Sequence, residues 1–241
     1  MITKAQVKHI QSLDDKKYRH EHGQFVVEGD KMVTELLSSD LNIIELYALE
    51  EWFKSNDIRD KKTTLIPVQP FELERISSLT TPNKVLAIAS MPVWPSSIAT
   101  LAILLDGIQD PGNLGSIIRI ADWYAIDTVY CSENSADAFN AKVIQASMGS
   151  VFRIRVEKCD LIHLIKLNSD MPSYVTVLEG KDINLFSKIT RGFIIIGNES
   201  KGVREEIKNL SHHKISIKRK GLAESLNAAV ATGIICHCML S

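Results

Sequence analysis

The sequence predicts an α/β protein built in two unequal parts. Short apolar runs alternate with amphipathic, helix-like segments along the whole chain, the pattern of strands covered by helices. Two of those runs, "LAILLDG" from Leu101 and "FIIIG" from Phe193, are almost wholly apolar, as in parallel strands buried on both faces. The stretch "MPVWPSSIAT" interrupts the alternation with two prolines and two serines. It divides the chain into an α/β domain over 1–91, a linker over 92–99 and a larger α/β domain over 100–241.

In the first part, "TKAQVKHIQSL" reads as a helix with Thr3 as N-cap. "QFVVEG" is a short strand and "DKMVTELLSS" a helix. "IIELYAL", "TTLIPV" and "VLAIASM" are strands, with helical "EEWFKSN" and "PFELERISS" between them. In the second part, a helix from about Asn113 to Ile126 follows the first strand. Then come strand "TVYCS", helix "AKVIQASM", strand "FRIRVE" and helix "DLIHLIKLN". Strands "YVTVLEG", "FIIIG" and "KISI" lead to a C-terminal helix from about Ser225.

Composition narrows the function. Of 241 residues, 45% are apolar, enough for a packed core. No apolar run approaches the roughly 20 residues that span a bilayer, so no membrane partner is expected. The polar, charged N-terminus lacks the form of a secretory signal. A net charge of −1 gives no global attraction to nucleic acid, so any such surface is a local patch. The four cysteines, Cys131, Cys159, Cys236 and Cys238, contain no C-x-x-C pair. Cys236-His237-Cys238 are consecutive on a helix and point apart, so no metal site is expected. Core thiols and a reducing cytoplasm fit this usage.

Three stretches carry chemistry. "GNESKG", Gly197 to Gly202, matches G-x-x-x-x-G, but a phosphate loop needs Lys and Ser or Thr after the second glycine. Val203 and Arg204 stand there instead. No strand is followed by G-x-G-x-x-G, so a phosphate-binding α/β enzyme is disfavoured. In "DGIQDPGNLGSIIRIADWYAI", a strand ends at Asp106-Gly107 and a tight turn leads into a helix. Arg119 lies about 100° around that helix from Ile118. It is either a surface cation or an arginine aimed at the carboxyl end of the sheet, where open α/β sheets bind ligands. In "ISIKRKGLAESLNAAVATGIICH", a basic tract precedes Ser225, Asn227 and a small-residue helix that permits close backbone approach. Ser225 reads equally as the N-cap of that helix.

In order and spacing the three stretches resemble the signature motifs of the SpoU (TrmH-like) RNA 2′-O-ribose methyltransferases of the SPOUT superfamily. N-x-G-x-x-x-R-x-A corresponds to Asn113 through Gly115 and Arg119 to Ala121. G-N-E-x-x-G corresponds to Gly197, Asn198, Glu199 and Gly202, and S-L-N to Ser225, Leu226 and Asn227. The N-terminal part resembles the family's substrate-binding extension, whose R-x5-F-x-x-E-G signature falls on Arg19, Phe25, Glu28 and Gly29. The family's usual I-P-M is here Ile217-Lys218-Arg219, a departure beside the expected cofactor pocket.

The resemblance implies a C-terminal SPOUT domain with a deep trefoil knot, preceded by a small ribosomal-protein L30e-like α/β domain. It implies S-adenosylmethionine as cofactor, held by Thr176, Leu178, Gly180, Gly197, Asn198, Ile217 and Leu226. It implies methylation of a ribose 2′-oxygen of RNA, with ribosomal RNA preferred over tRNA, by a homodimer. Arg119 matches the catalytic arginine, with Glu199, Asn113, Ser225 and Asn227 completing the catalytic set. The 2′-hydroxyl distinguishes RNA from DNA, and Lys16, Lys17, Arg19, Lys218, Arg219 and Lys220 are expected at its phosphates. A non-catalytic RNA-binding protein that keeps the fold is the alternative.

Overall fold

The computed structural model describes residues 1–56, 58 and 63–241. The chain forms two compact units, one of residues 1–94 together with Phe139–Gln145, the other of Pro95–Ala138 and Ala146–Ser241.

The first unit opens with α1 (Lys4–Ser12), whose N-cap Thr3 and Gln6 form a capping box. α2 (Lys16–His22) was not anticipated: Asp15 caps it by accepting from Lys17 N, and Gly23 ends it. Strand β1 (Gln24–Glu28), α3 (Asp30–Leu37), β2 (Ile43–Ala48), α4 (Glu50–Ser55), β3 (Thr64–Pro67), α5 (Pro70–Ile76) and β4 (Val85–Ser90) follow. The four strands form a mixed sheet in the order β1-β4-β2-β3, with only β2 and β3 parallel. Apolar residues of α1 and α5, among them Ile10, Leu13, Leu73 and Ile76, pack with Tyr47, Leu86 and Ile88 of the sheet.

Two residues of the N-terminal signature prove to be braces within this unit. Arg19 is 3% exposed, and its Nη1 donates to the backbone oxygens of Leu13 and Asp14, both at 2.7 Å. It is therefore not the phosphate contact that the sequence suggested, because its guanidinium is spent on the α1–α2 turn. Glu28 is likewise buried and accepts from Ser78 N, Ser78 Oγ and Ser77 Oγ. Lys16 and Lys17 are exposed as expected.

The second unit is built on a six-stranded sheet. Its elements are β5 (Leu101–Asp106), α6 (Pro111–Trp123), β6 (Thr128–Cys131), β7 (Arg155–Lys158), α8 (Leu161–Leu167), β8 (Ser173–Asp182), β9 (Gly192–Gly197), α9 (Glu205–Leu210), β10 (His213–Ser216) and α10 (Ala228–Leu240), while α7 (Ala141–Ser147), between β6 and β7 in the chain, belongs mostly to the first unit. The order is β10-β8-β9-β5-β6-β7 and every pairing is parallel. β5 and β9 are buried along nearly their whole length, which explains their unbroken apolar runs.

Differences from expectation are local. The strand expected over 152–157 begins as a short 3₁₀ turn, Ser150–Phe152, and pairs only from Arg155. The last helix starts at Ala228, and its N-cap is Asn227, not Ser225. α9, whose six residues carry only two apolar side chains, was not foreseen. Because β5 leads to β6 on one side while its neighbour β9 leads to β10 on the other, the loops leaving β5 and β9 diverge. That is the switch point where open α/β sheets bind ligands.

Candidate active site

β5 and β9 end level, with Asp106 paired to Gly197. The turn after β5 places Asp110 as N-cap of α6, where its Oδ1 accepts from Asn113 N at 2.7 Å. The loop after β9 returns on itself, with Asn198 and Gly202 exchanging backbone hydrogen bonds. A Cβ on Gly197 would stand 2.3 Å from the Gly202 carbonyl carbon, so only glycine fits there. Asn198 fixes this loop: Nδ2 donates to Gly107 O at 2.8 Å, and Oδ1 accepts from Ser200 N and Lys201 N.

Side chains from all three motifs then meet in one hydrogen-bonded row. Asn227 Nδ2 donates to Asn113 Oδ1 at 2.8 Å, and Asn113 Nδ2 donates to Glu199 Oε1 at 2.6 Å. The direction of the row is fixed from one end. Asn227 Oδ1 accepts from Ala229 N and Val230 N at the start of α10, so its amide nitrogen must face Asn113. Asn113 must then accept on Oδ1 and present Nδ2 to the carboxylate. The second Glu199 oxygen and Ser225 have no hydrogen-bond partner among the described residues.

Arg119 is exposed on α6, while its neighbour Ile118 is fully buried, as the helical spacing predicted. Among the described residues it makes no hydrogen bond or ion pair. α6 and α10 run parallel, since Asn113 meets Asn227 at their starts and Ile120 lies against Gly233 further along.

Of the expected pocket residues, Gly197, Asn198 and Ile217 fall at the carboxyl ends of β9 and β10, Thr176, Leu178 and Gly180 lie along β8 between them in the sheet, and Leu226 precedes α10. Thr176 Oγ1 donates to Ile195 O at 3.0 Å, tying β8 to β9. A Cβ on Gly180 would lie 2.6 Å from the Ile215 carbonyl carbon, and Ser216 Oγ donates to Gly180 O. Ile217 is half-buried, whereas Leu178 and Leu226 are 78% and 46% exposed. Such apolar side chains over backbone-lined strand ends suit a ligand with apolar faces and no phosphate. Lys218, Arg219 and Lys220 are all exposed in the loop that leads to Asn227.

Sequence reasoning missed one pair here. The buried carboxylate of Asp106 accepts from both Arg204 N and Arg204 Nε at 2.8 Å. The strand-ending Asp-Gly was the available signal. No group of His, Cys, Asp and Glu suited to a metal ion occurs among the described residues. Burial pushes the thiols of Cys131 and Cys236 up to about 12, so neither is a ready nucleophile.

The profile of the SpoU rRNA Methylase family matches residues 100–237. The chain belongs to this family. A second profile, the MRM3-like substrate binding domain, matches residues 4–87. The chain is 30% identical to the 23S rRNA (guanosine(2553)-2′-O)-methyltransferase RlmP of Bacillus subtilis (strain 168), over 96% of this chain and 94% of that one. A solved structure from Porphyromonas gingivalis, assigned to the TrmH family, is 32% identical, with TM-score 0.90 over 100% of this chain and 98% of that chain. The AdoMet-bound rRNA methyltransferase of Sinorhizobium meliloti is 27% identical, with TM-score 0.85 over 99% and 95%. Among SpoU family members, therefore, the likeness extends over both units of this chain.

Proposed function

We propose that this protein methylates a ribose 2′-oxygen of RNA, with ribosomal RNA preferred, using S-adenosylmethionine. The observation that carries this is the Asn227–Asn113–Glu199 row, which brings all three SpoU motifs together at the switch point of the sheet. The Bacillus subtilis relative is named for this reaction on 23S rRNA, which supports both the chemistry and the substrate class.

The residues present fit the methyl donor. Gly180 and Gly197 keep the strand ends bare, Thr176 and Asn198 hold their backbone in place, and Leu178, Ile217 and Leu226 offer apolar surface. S-adenosylmethionine would supply a methyl group on a sulfonium and leave as the neutral thioether, while the 2′-oxygen passes its proton to solvent. A guanidinium is a fixed cation and a poor proton acceptor, so we assign Arg119 to stabilise the oxygen as charge develops there. Glu199, aimed by Asn113, accepts a hydrogen bond from the ribose or from Arg119. Ser225 is open to the target nucleotide.

Arg119 reaches its target from a second copy in this reading. α10 is apolar around its whole circumference, which suits a helix covered on every side. Yet Val230 is 53% exposed, and Trp123, one helical turn beyond Arg119 on α6, is 83% exposed. A homodimer that seals the α6–α10 pair covers both. The trefoil knot belongs to the same reading, carried by the family likeness. The first unit, read as an L30e-like RNA-binding domain over 1–91, presents Lys16 and Lys17, and the second presents Lys218, Arg219 and Lys220. Free thiols support residence in the cytoplasm.

The test is transfer of labelled methyl from S-adenosylmethionine to purified 23S rRNA and tRNA, followed by mapping of 2′-O-methyl positions. Label is expected in 23S rRNA at a single ribose. Arg119→Ala is expected to lower turnover by on the order of a hundredfold or more. Near-normal turnover by that variant would sink the assignment of Arg119.

A further inference from the structure

Asp106 and Arg204 have no part in the roles above, yet Asp106 commits both carboxylate oxygens to this one residue. Asp106 is 3% exposed at the end of β5. Its Oδ2 accepts from Arg204 N and its Oδ1 from Arg204 Nε, each at 2.8 Å. A carboxylate withdrawn from water this far is costly unless paired and hydrogen-bonded, and this one is both. Arg204 stands where the loop that leaves Gly197 comes back. The outgoing leg of that loop is pinned by Asn198 Nδ2 to Gly107 O, and the returning leg by Arg204 to Asp106. The two anchors are consecutive residues at the end of one central strand. Glu199 lies between the pinned legs, and its carboxylate meets Asn113.

The geometry points to Asp106 and Arg204 as positioning residues: a clamp that holds loop 198–203 so that Glu199 meets Asn113 and the Gly197 backbone stays flat against the methyl donor. The inference rests on the methyl-transfer reading and adds to it two residues that touch neither substrate. The Asn198–Gly202 backbone bonds tie the two legs to each other, and the Arg204–Asp106 contacts tie the returning leg to the sheet.

The test compares Arg204→Ala, Arg204→Lys and Asp106→Asn in the full chain. Thermal melting, calorimetric affinity for S-adenosylmethionine, and kcat and KM on 23S rRNA are measured for each. Lys at 204 can still donate from Nζ to Asp106, whereas Ala keeps only the backbone N–H donation. Arg204→Ala is expected to lower kcat roughly tenfold and to weaken cofactor binding, with Arg204→Lys recovering most of both. In a Glu199→Gln background, the kcat effect of Arg204→Ala is expected to shrink, since the group being aimed is already altered. A folded Arg204→Ala enzyme with wild-type kcat and cofactor affinity overturns the clamp, as does full additivity with Glu199→Gln. Should Arg204→Ala fail to fold, Arg204→Lys and Asp106→Asn decide by the same two measurements. Wild-type protein that binds S-adenosylmethionine but transfers no methyl to RNA overturns the methyl-transfer reading instead, and calorimetry on the variants still decides the clamp.

Discussion

At the scale of residues, the polarity of the Asn227–Asn113–Glu199 row is its most testable property. Two helix N–H groups fix which way Asn227 faces, and each later amide follows from the one before. Asn227→Asp separates capping from relaying. Aspartate is as good an N-cap as asparagine, so α10 keeps its start. It has no N–H to donate, so the Asn113 amide turns to donate towards it and presents oxygen to Glu199. Two acceptors then face each other across what was a 2.6 Å hydrogen bond. The expected outcome is an unchanged melting temperature with kcat lowered on the order of 10- to 100-fold. Equal kcat in the two proteins would show that the row does not aim Glu199. The sequence named all three residues, but not their bonding, because the partners lie 86 and 114 positions apart. It also misjudged Arg19, since a cation among lysines reads as surface until its burial is seen.

At the scale of elements, strands were easier to read than caps. The runs at β5 and β9 need no context, since burial on both faces writes itself into an unbroken apolar stretch. α2 was missed because KKYRHEH carries a single tyrosine and no aliphatic side chain, and α9 because EEIKNL carries only two apolar ones, so neither shows an apolar face. The start of α10 was placed early because Ser225 and Asn227 are both good caps, and only hydrogen bonding separates them. Glycines at the ends of β8 and β9 are where elements press on one another. Gly197→Ala would put a methyl 2.3 Å from backbone, and the loop that it strikes is already pinned at both legs. The loop must lift, which costs about 1–3 kcal/mol as overpacking does elsewhere. Gly202→Ala, although strained by its φ of 69°, meets nothing within 4 Å. Calorimetry is expected to show S-adenosylmethionine affinity lost in Gly197→Ala and largely kept in Gly202→Ala. The reverse order would separate the Gly197 loop from the cofactor.

At the scale of the whole molecule, the proposed assembly of two copies would cover apolar groups that the second unit leaves exposed. α6 and α10 lie side by side with Ile120 against Gly233, and each still exposes a large apolar side chain. Arg119 shares the exposed face of α6 with Trp123 and has no partner among the described residues. In the proposed reading, a face that combines unpartnered apolar groups with Arg119 ties activity to association. Val230→Arg tests that tie without touching Arg119, Glu199 or the Asn227 side chain. It adds charge to a surface that is predicted to be dry, where an unpaired cation is strongly unfavourable. Light scattering is expected to give twice the chain mass for wild type and the single mass for Val230→Arg, with an unchanged far-ultraviolet spectrum. Turnover on 23S rRNA is expected to fall with the dimer fraction. Mixing Val230→Arg with excess Arg119→Ala should recover little activity, because arginine-bearing chains cannot enter the interface. A monomeric Val230→Arg protein with full turnover would mean that each chain completes its own site.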